Sequence, residues 1–218
     1  MKNHHNTQEV KLPRQEVWRG LGRHFPDDRE CIASFVALEA AEVIEGIKPG
    51  NLVSIGGRPQ RCGRNLSGLW RRYGGELLAE SGLAAEVLAE EDGMILLYFY
   101  RPAALDRLLE RRSVRVILEK AGYPRPARAG ELFDELRKRM KRGGFPHEIG
   151  IFLGYPLKDV VAFMGWVAIP FACQGPWKIY GNPLESLQLA FRFRECRCRM
   201  ASRLASCGTP LDCLRRAA

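Results

Sequence analysis

Two adjacent polar residues, His147 and Glu148, stand directly before an apolar run at residues 149–153. A histidine can serve as acid, base or ligand near neutral pH, because its ordinary pKa is close to 6.5. A side chain at the edge of a buried strand is held rigidly, as catalytic and binding groups often are. We therefore take His147 as a candidate base or ligand and Glu148 as the group that orients it. An ordinary hydrogen-bonded histidine at the start of a strand is the alternative.

Cys173 is the thiol nearest to this apolar segment, and Trp177 and Lys178 follow it closely. A thiolate next to a lysine or an imidazolium has a lowered pKa and becomes a good nucleophile. Cys173 is therefore the candidate nucleophile or ligand, and Lys178 is the candidate anchor for an anion. An inert packing role is the alternative, since buried cysteines commonly behave as small apolar side chains.

The other candidates are expected to bind a small ligand rather than to react with it. Tyr155 and Asp159 follow the apolar run, and Trp177 lies next to Lys178. Lys48 stands before Pro49, whose ring disfavours helix at the preceding residue, so that Lys48 is placed in a turn. Tyr155, Asp159, Trp177, Lys178 and Lys48 form the predicted ligand-binding set. No metal site is predicted, and the sequence leaves the cofactor unknown.

Signatures of the large enzyme classes are missing from the chain. It contains no GxxxxGK followed by Ser or Thr, no GxGxxG after a strand, and no GxSxG, HExxH or CxxC. Whether the protein is an enzyme therefore stays open.

The seven cysteines are odd in number and lack the dense spacing of a disulfide scaffold. Reduced thiols in the cytoplasm are the simplest interpretation. Cys196 and Cys198 are two residues apart on a predicted helix and should point to different sides. A metal or redox response that also involves Cys207 or Cys213 is a further alternative function.

Positive charge is concentrated in two segments of this chain of net charge +9. Residues 101–142 carry 13 basic and 6 acidic side chains, and residues 192–218 carry 7 and 2. Such segments could bind an anionic partner, either nucleic acid or a phosphorylated ligand, without catalysis. Solvated helix faces explain the same charges, and nucleic acid is not the favoured partner. Oligomeric state is unknown.

The amino-terminal sequence lacks the apolar stretch of a signal peptide, so a cytoplasmic location is expected. The longest uncharged run, residues 160–177, is interrupted by Pro170 and Pro176. We interpret it as the end of a helix, a turn and a strand, and we expect no membrane insertion.

Periodicity predicts a mixed α and β fold, either α+β or three-layer α/β, with helices flanking a mixed sheet that contains an antiparallel hairpin. The hairpin pairs residues 84–88 with residues 94–100, and the second strand, apolar on both faces, should lie inside the sheet. We expect a polar arm at residues 1–30 with a short helix near residues 17–21, one domain at residues 31–206 and a tail at residues 207–218. The other predicted elements are helices at residues 32–47, 66–77, 105–109, 114–118, 132–140, 157–164 and 183–205, and strands at residues 52–55, 149–153, 168 onward and 177–180.

The motifs FPHEIGIFLGYP, GIKPGNL and GPWKIYG give the chain a family resemblance. Together they resemble an uncharacterised bacterial domain family, found mainly in anaerobes, over about residues 39–196. The resemblance implies kinship of fold, since that family has no established activity. Its pattern has His-Cys-Ala-Pro where this chain has Glu39-Ala40-Ala41-Glu42, which implies that any thiol site formed there has lost half of its residues.

Overall fold

The computed structural model describes residues 18, 21–60, 63–125, 128–142 and 145–215. After a 3-10 turn at Gly22–His24, the elements in chain order are α1 (Asp28–Glu39), α2 (Ala41–Ile44), β1 (Gly50–Ile55), α3 (Leu66–Ser81), β2 (Ala84–Glu91), β3 (Met94–Tyr100), α4 (Pro102–Glu110), α5 (Arg112–Lys120), α6 (Ala129–Lys141), α7 (Ile149–Phe152), α8 (Leu157–Phe163), β4 (Phe171–Gln174), β5 (Lys178–Tyr180), α9 (Leu184–Ser206) and α10 (Pro210–Leu214).

Strand β3 lies at the centre of a three-stranded antiparallel sheet, between β1 and β2. Its side chains alternate between two cores, with Leu97 and Phe99 on one face and Tyr98 and Tyr100 on the other. Helices α1, α2, α3, α9 and α10 cover the first face, and α4 to α8 cover the second. The mixed α and β class is confirmed, in a three-layer arrangement, and β3 is the internal strand that its apolar sequence predicted. The predicted mixed sheet was wrong, because every strand pair in the described part of the chain is antiparallel, and β4 and β5 form a separate hairpin.

Residues 149–153, predicted as a buried strand, form the short helix α7 instead, so this prediction was wrong. The Leu153 amide donates to the Ile149 carbonyl over 3.0 Å, and Gly154 ends the helix at a φ of +73°. The hydroxyl of Tyr98 donates to the Phe152 carbonyl over 2.7 Å, which satisfies one of the free acceptors at the helix end. The segment is apolar throughout because core surrounds it on all sides.

The helix predicted at residues 32–47 is divided into α1 and α2 at Ala40, whose ψ of 14° departs from helical geometry. The Asn51 side chain donates to the carbonyl of Glu39 over 2.6 Å and so satisfies an acceptor that the interruption releases. The break leaves Glu39 and Glu42 buried.

Residues near both ends of the described part of the chain contribute to the core. Trp18, in the segment expected to be a polar arm, is buried and meets Phe35 edge to face at 5.2 Å between ring centroids. The rest of the helix predicted near residues 17–21 lies largely outside the described residues. At the other end, Cys213 and Leu214 of α10 are buried in the same core. No helix in the described part of the chain has the length and apolar character needed to span a membrane.

Candidate functional site

Lys48, in the turn between α2 and β1, is a lysine with only 3% of its surface exposed. Its Nζ donates to Asn51 Oδ1 over 3.2 Å and lies 4.0 Å from Glu42 Oε1. The same Nζ is 4.4 Å from the centroid of the Phe193 ring. Carboxylate, amide and ring face together compensate a charge that would be costly to bury alone.

Aromatic rings extend this cluster toward β5. Tyr155 and Trp177 stack with centroids 4.4 Å apart and ring planes 20° apart. Phe193 meets Trp177 at 6.1 Å, and Lys48 Nζ lies 6.0 Å from the Tyr155 centroid. The turn before β1, the turn before α8, β5 and α9 therefore meet at one place.

The buried carboxylate of Asp159 connects α8 to the β4–β5 hairpin and to α9 through hydrogen bonds. Its Oδ2 accepts from Trp177 Nε1 at 2.8 Å and from Ser186 Oγ at 2.6 Å. Its Oδ1 accepts from Lys158 Nζ and from the Tyr180 amide, both at 2.9 Å. Burial alone would raise the pKa of the Asp159 carboxyl, but these four hydrogen bonds outweigh it and lower that pKa below its ordinary value.

Gly154 allows the turns that carry Lys48 and Tyr155 to approach each other. A Cβ at this position would lie 2.7 Å from Pro49 Cδ, and the φ of +73° also favours glycine. The motifs GIKPGNL and FLGYP are therefore in direct contact. Four of the five predicted ligand-binding residues, Lys48, Tyr155, Asp159 and Trp177, share this cluster.

Glu148 faces a different part of the protein. Its Oε1 accepts from Arg139 Nη1 at 2.7 Å and from the Tyr123 hydroxyl at 3.0 Å. The Arg139 guanidinium also lies 4.3 Å from the Tyr123 ring centroid. Burial, reinforced by the Glu148 charge, raises the pKa of the Tyr123 hydroxyl. Glu148 thus anchors α6 to α7, and no hydrogen bond between the described atoms of Glu148 and His147 supports an orienting role.

His147 is exposed, and its ring meets Phe163 nearly edge to face with centroids 4.8 Å apart. Cys173 packs with Trp177, Ile179 and Phe193 on the inner side of the hairpin. Within the described part of the chain His147 and Cys173 share no hydrogen bond, and the structure places them in separate clusters.

Cys173 and Lys178 lie on opposite faces of the hairpin. Cys173 pairs with Ile179 across the ladder, and Gln174 pairs with Lys178. Directly opposed residues share a face, whereas successive residues alternate. Ile179 is fully buried while Lys178 is exposed, so the side chains of Cys173 and Lys178 face different surroundings.

A second group of side chains lies on the solvent side of the hairpin, and we call it the outer face. It consists of His147, Phe163, Phe171, Lys178 and Tyr180. Lys178 Nζ lies 5.4 Å from the Phe163 ring centroid, and Phe171 meets Tyr180 edge to face at 5.9 Å. Phe163 is 40% exposed and Phe171 is 56% exposed.

Residues 145–183, all of which the structure describes, carry no exposed carboxylate. Their acidic residues are Glu148 and Asp159, and both are buried. Nearby, Lys120 Nζ at the end of α5 lies 4.6 Å from the ring centroid of Trp166, which follows α8. This contact places the end of α5 beside the turn that follows α8, the helix that ends at Phe163.

The late cysteines are separated, as their spacing on α9 predicted. Cys196 is buried and Cys198 is exposed. Burial, together with the nearby Glu45 carboxylate, raises the pKa of the Cys196 thiol to about 12. Cys62 lies outside the described residues, and among those described no three His, Cys, Asp or Glu side chains converge as a metal site would require.

The sequence patterns did not single out several side chains of the outer face and of the Asp159 cluster. Phe163 and Phe171 stand in an apolar segment without a motif of their own, Tyr180 belongs to the GPWKIYG motif but had no predicted role, and Ser186 is an ordinary residue in the first turn of α9. The signal that could have identified the aromatic side chains is the density of aromatic residues between Glu148 and the start of α9.

These features define a three-layer mixed α and β protein with an antiparallel central sheet and a separate hairpin beside it. The chain belongs to the family described as protein of unknown function (DUF3793), whose model matches residues 36–214. No curated protein and no solved structure matches the chain.

Proposed function

We propose that this protein binds an anionic partner without chemical conversion, and that α5 and the outer face form the binding surface. The dispersal of His147, Glu148 and Cys173 among three environments supports binding over catalysis by these residues. A catalytic group needs hydrogen-bond reach to its partner, and the described contacts of these three side chains lead elsewhere.

The observation that carries the proposal is the set of exposed positive charges on α5. It exposes Arg112, Arg115 and Lys120, and its single acidic residue, Glu119, is bonded to Arg125. Among the described residues no carboxylate lies within ion-pair distance of these three cations. Their charge is therefore available to a partner.

The second basic segment, on α9 and α10, differs in this respect. Arg197 pairs with Glu39, Arg199 and Arg203 pair with Glu45, and Arg215 pairs with Glu80. Intramolecular ion pairs thus explain most of that charge. Helix α4 is also excluded from the proposed surface, because Asp106 and Glu110 are exposed beside Arg107.

The buried cluster around Asp159 stabilises the elements that form this surface. Asp159 joins α8, which carries Phe163, to β5, which carries Lys178. We assign Lys48, Tyr155, Asp159 and Trp177 a positioning role, in which they hold the outer face in shape and do not contact the partner.

The test is salt elution from a phosphate-bearing cation-exchange resin. We would compare the wild-type protein with the triple variant Arg112→Gln, Arg115→Gln, Lys120→Gln. A matched control, Arg72→Gln, Arg192→Gln, Arg194→Gln, removes three exposed charges from α3 and α9.

We expect the α5 variant to elute at clearly lower salt than the control, since both have the same net charge. Elution of both variants at the same salt concentration would show that net charge alone causes retention, and it would contradict the proposed surface.

A further inference from the structure

We infer, on the basis of the proposed anion-binding function, that the partner is single-stranded nucleic acid and that its bases stack on Phe163, Phe171 and Tyr180. Each base has a π face, so exposed aromatic rings in a basic surface bind single strands with little dependence on sequence. The outer face combines such rings with cations in the described structure.

The hairpin sets the spacing of the rings. Lys178 and Tyr180 are two residues apart on β5 and therefore share a face, with their Cα atoms roughly 7 Å apart. Phe171 is opposite Tyr180 in the ladder. Lys178, Tyr180 and Phe171 therefore share one face of the hairpin, and the Lys178 ammonium lies beside the Phe163 ring.

The charges suit a phosphate backbone. Lys178 lies beside the Phe163 ring, and Lys120 of α5 lies beside Trp166, three residues after Phe163. Arg112 and Arg115 are further exposed cations of α5. Both acids of the segment are buried, with Glu148 bonded to Arg139 and Asp159 bonded to Lys158. A strand crossing the outer face therefore meets no exposed carboxylate from residues 145–183.

The exposed aromatic rings favour a single strand over two other anionic partners. The bases of a duplex stack on one another, so their faces are not accessible to Phe163 or Phe171. A lipid surface with anionic headgroups would be bound through aliphatic as well as aromatic side chains. Between Phe163 and Phe171, Val167 is the one large aliphatic side chain that is exposed.

The experiment measures fluorescence anisotropy of a labelled oligothymidylate, an abasic sugar-phosphate strand of equal length and a duplex of equal length. The test variant is Phe163→Leu with Phe171→Leu, which keeps apolar volume and removes both rings. The control is Phe191→Leu, a phenylalanine on α9 that is 59% exposed. Circular dichroism checks that the variants fold.

We expect the wild type to bind oligothymidylate at least about 5-fold more tightly than the abasic strand, the low end of a single stacking contact. The double variant should lose that preference, and the control should keep it. Equal affinity for the two strands, with the α5 cations still required, would overturn base stacking while leaving anion binding intact.

Two other results are separable from that one. No binding to any strand, together with elution that is insensitive to the α5 substitutions, would refute the proposed function itself. Tighter binding to phosphatidylserine vesicles than to oligothymidylate would overturn the nucleic-acid partner in favour of a lipid surface.

Discussion

Replacing Asp159 by asparagine should destabilise the protein strongly, because one buried carboxylate accepts four hydrogen bonds. In Asp159→Asn the amide oxygen can keep two donors, but the new NH₂ group faces the other two. Hydrogen bonds to a charged group contribute about 1.5–3 kcal/mol each, and two of the four would lose their acceptor. We expect the free energy of unfolding to fall by about 3–5 kcal/mol, a large part of the roughly 5–15 kcal/mol typical of a domain.

Urea unfolding followed by circular dichroism measures this loss, with Ser186→Ala as the graded control. That variant removes one of the four donors and should cost about 1.5 kcal/mol. A loss below about 1 kcal/mol for Asp159→Asn would refute the view that the carboxylate holds the hairpin in place.

The pH dependence gives an independent check. The pKa of Asp159 is lower in the folded protein than its ordinary value of about 3.9, so its stabilisation is present above that value and is lost as pH falls through the folded pKa. The difference in stability between wild type and Asp159→Asn should therefore be constant above about pH 5 and shrink below about pH 4. A difference that grows on acidification would contradict the assignment.

Two further predictions concern the core and the thiols. Gly50→Ala should cost about 3 kcal/mol, because its Cβ would overlap the buried Tyr98 ring, whereas Gly56→Ala, with open space around it, should change stability by less than about 0.5 kcal/mol in the same urea assay. A comparable loss for both would contradict the packing described for β1. Iodoacetamide should modify the exposed Cys198 in the native protein and leave Cys196 unmodified until unfolding, since burial and Glu45 raise the Cys196 pKa to about 12. Peptide mass mapping measures both modifications, and equal rates for the two cysteines would contradict this prediction.

The sequence predicted correctly those helices and strands whose formation depends on residues close to one another in the chain. The hairpin of β2 and β3, the internal position of β3 and the helices α3 to α6 are confirmed, because turn residues and apolar periodicity fix them over short distances. The start of α9 is also close to its predicted position, with Asn182 Oδ1 accepting from the Leu184 amide over 3.0 Å.

Errors arose where the surroundings decide the conformation. A fully buried apolar run of five residues has no periodicity that separates strand from helix, and residues 149–153 became a helix because Gly154 and the Tyr98 hydroxyl complete its end. The break at Ala40 depends on Asn51, eleven residues later, which no helical pattern contains.

The site was predictable in part for the same reason. Lys48, Tyr155, Asp159 and Trp177 were selected by motif and residue type, and the fold brings them together through contacts distant in sequence. His147, Glu148 and Cys173 were selected on the assumption of a strand at residues 149–153, and with α7 in its place their side chains point to different surroundings. The outer face could not be predicted, because it depends on the pairing of β4 with β5 and on the contact of Lys178 with Phe163. The spacing of residues in the sequence indicates neither.

The most direct test of the account is the salt dependence of oligothymidylate binding to the wild type and to the variant Arg112→Gln, Arg115→Gln, Lys120→Gln. Each phosphate contact on a single strand contributes about −0.7 to the slope of log affinity against log salt concentration. Loss of three contacts should therefore make the slope shallower by about 2, whereas the control Arg72→Gln, Arg192→Gln, Arg194→Gln should keep the wild-type slope. Parallel lines for the wild type and the α5 variant would contradict the claim that α5 binds the anionic partner.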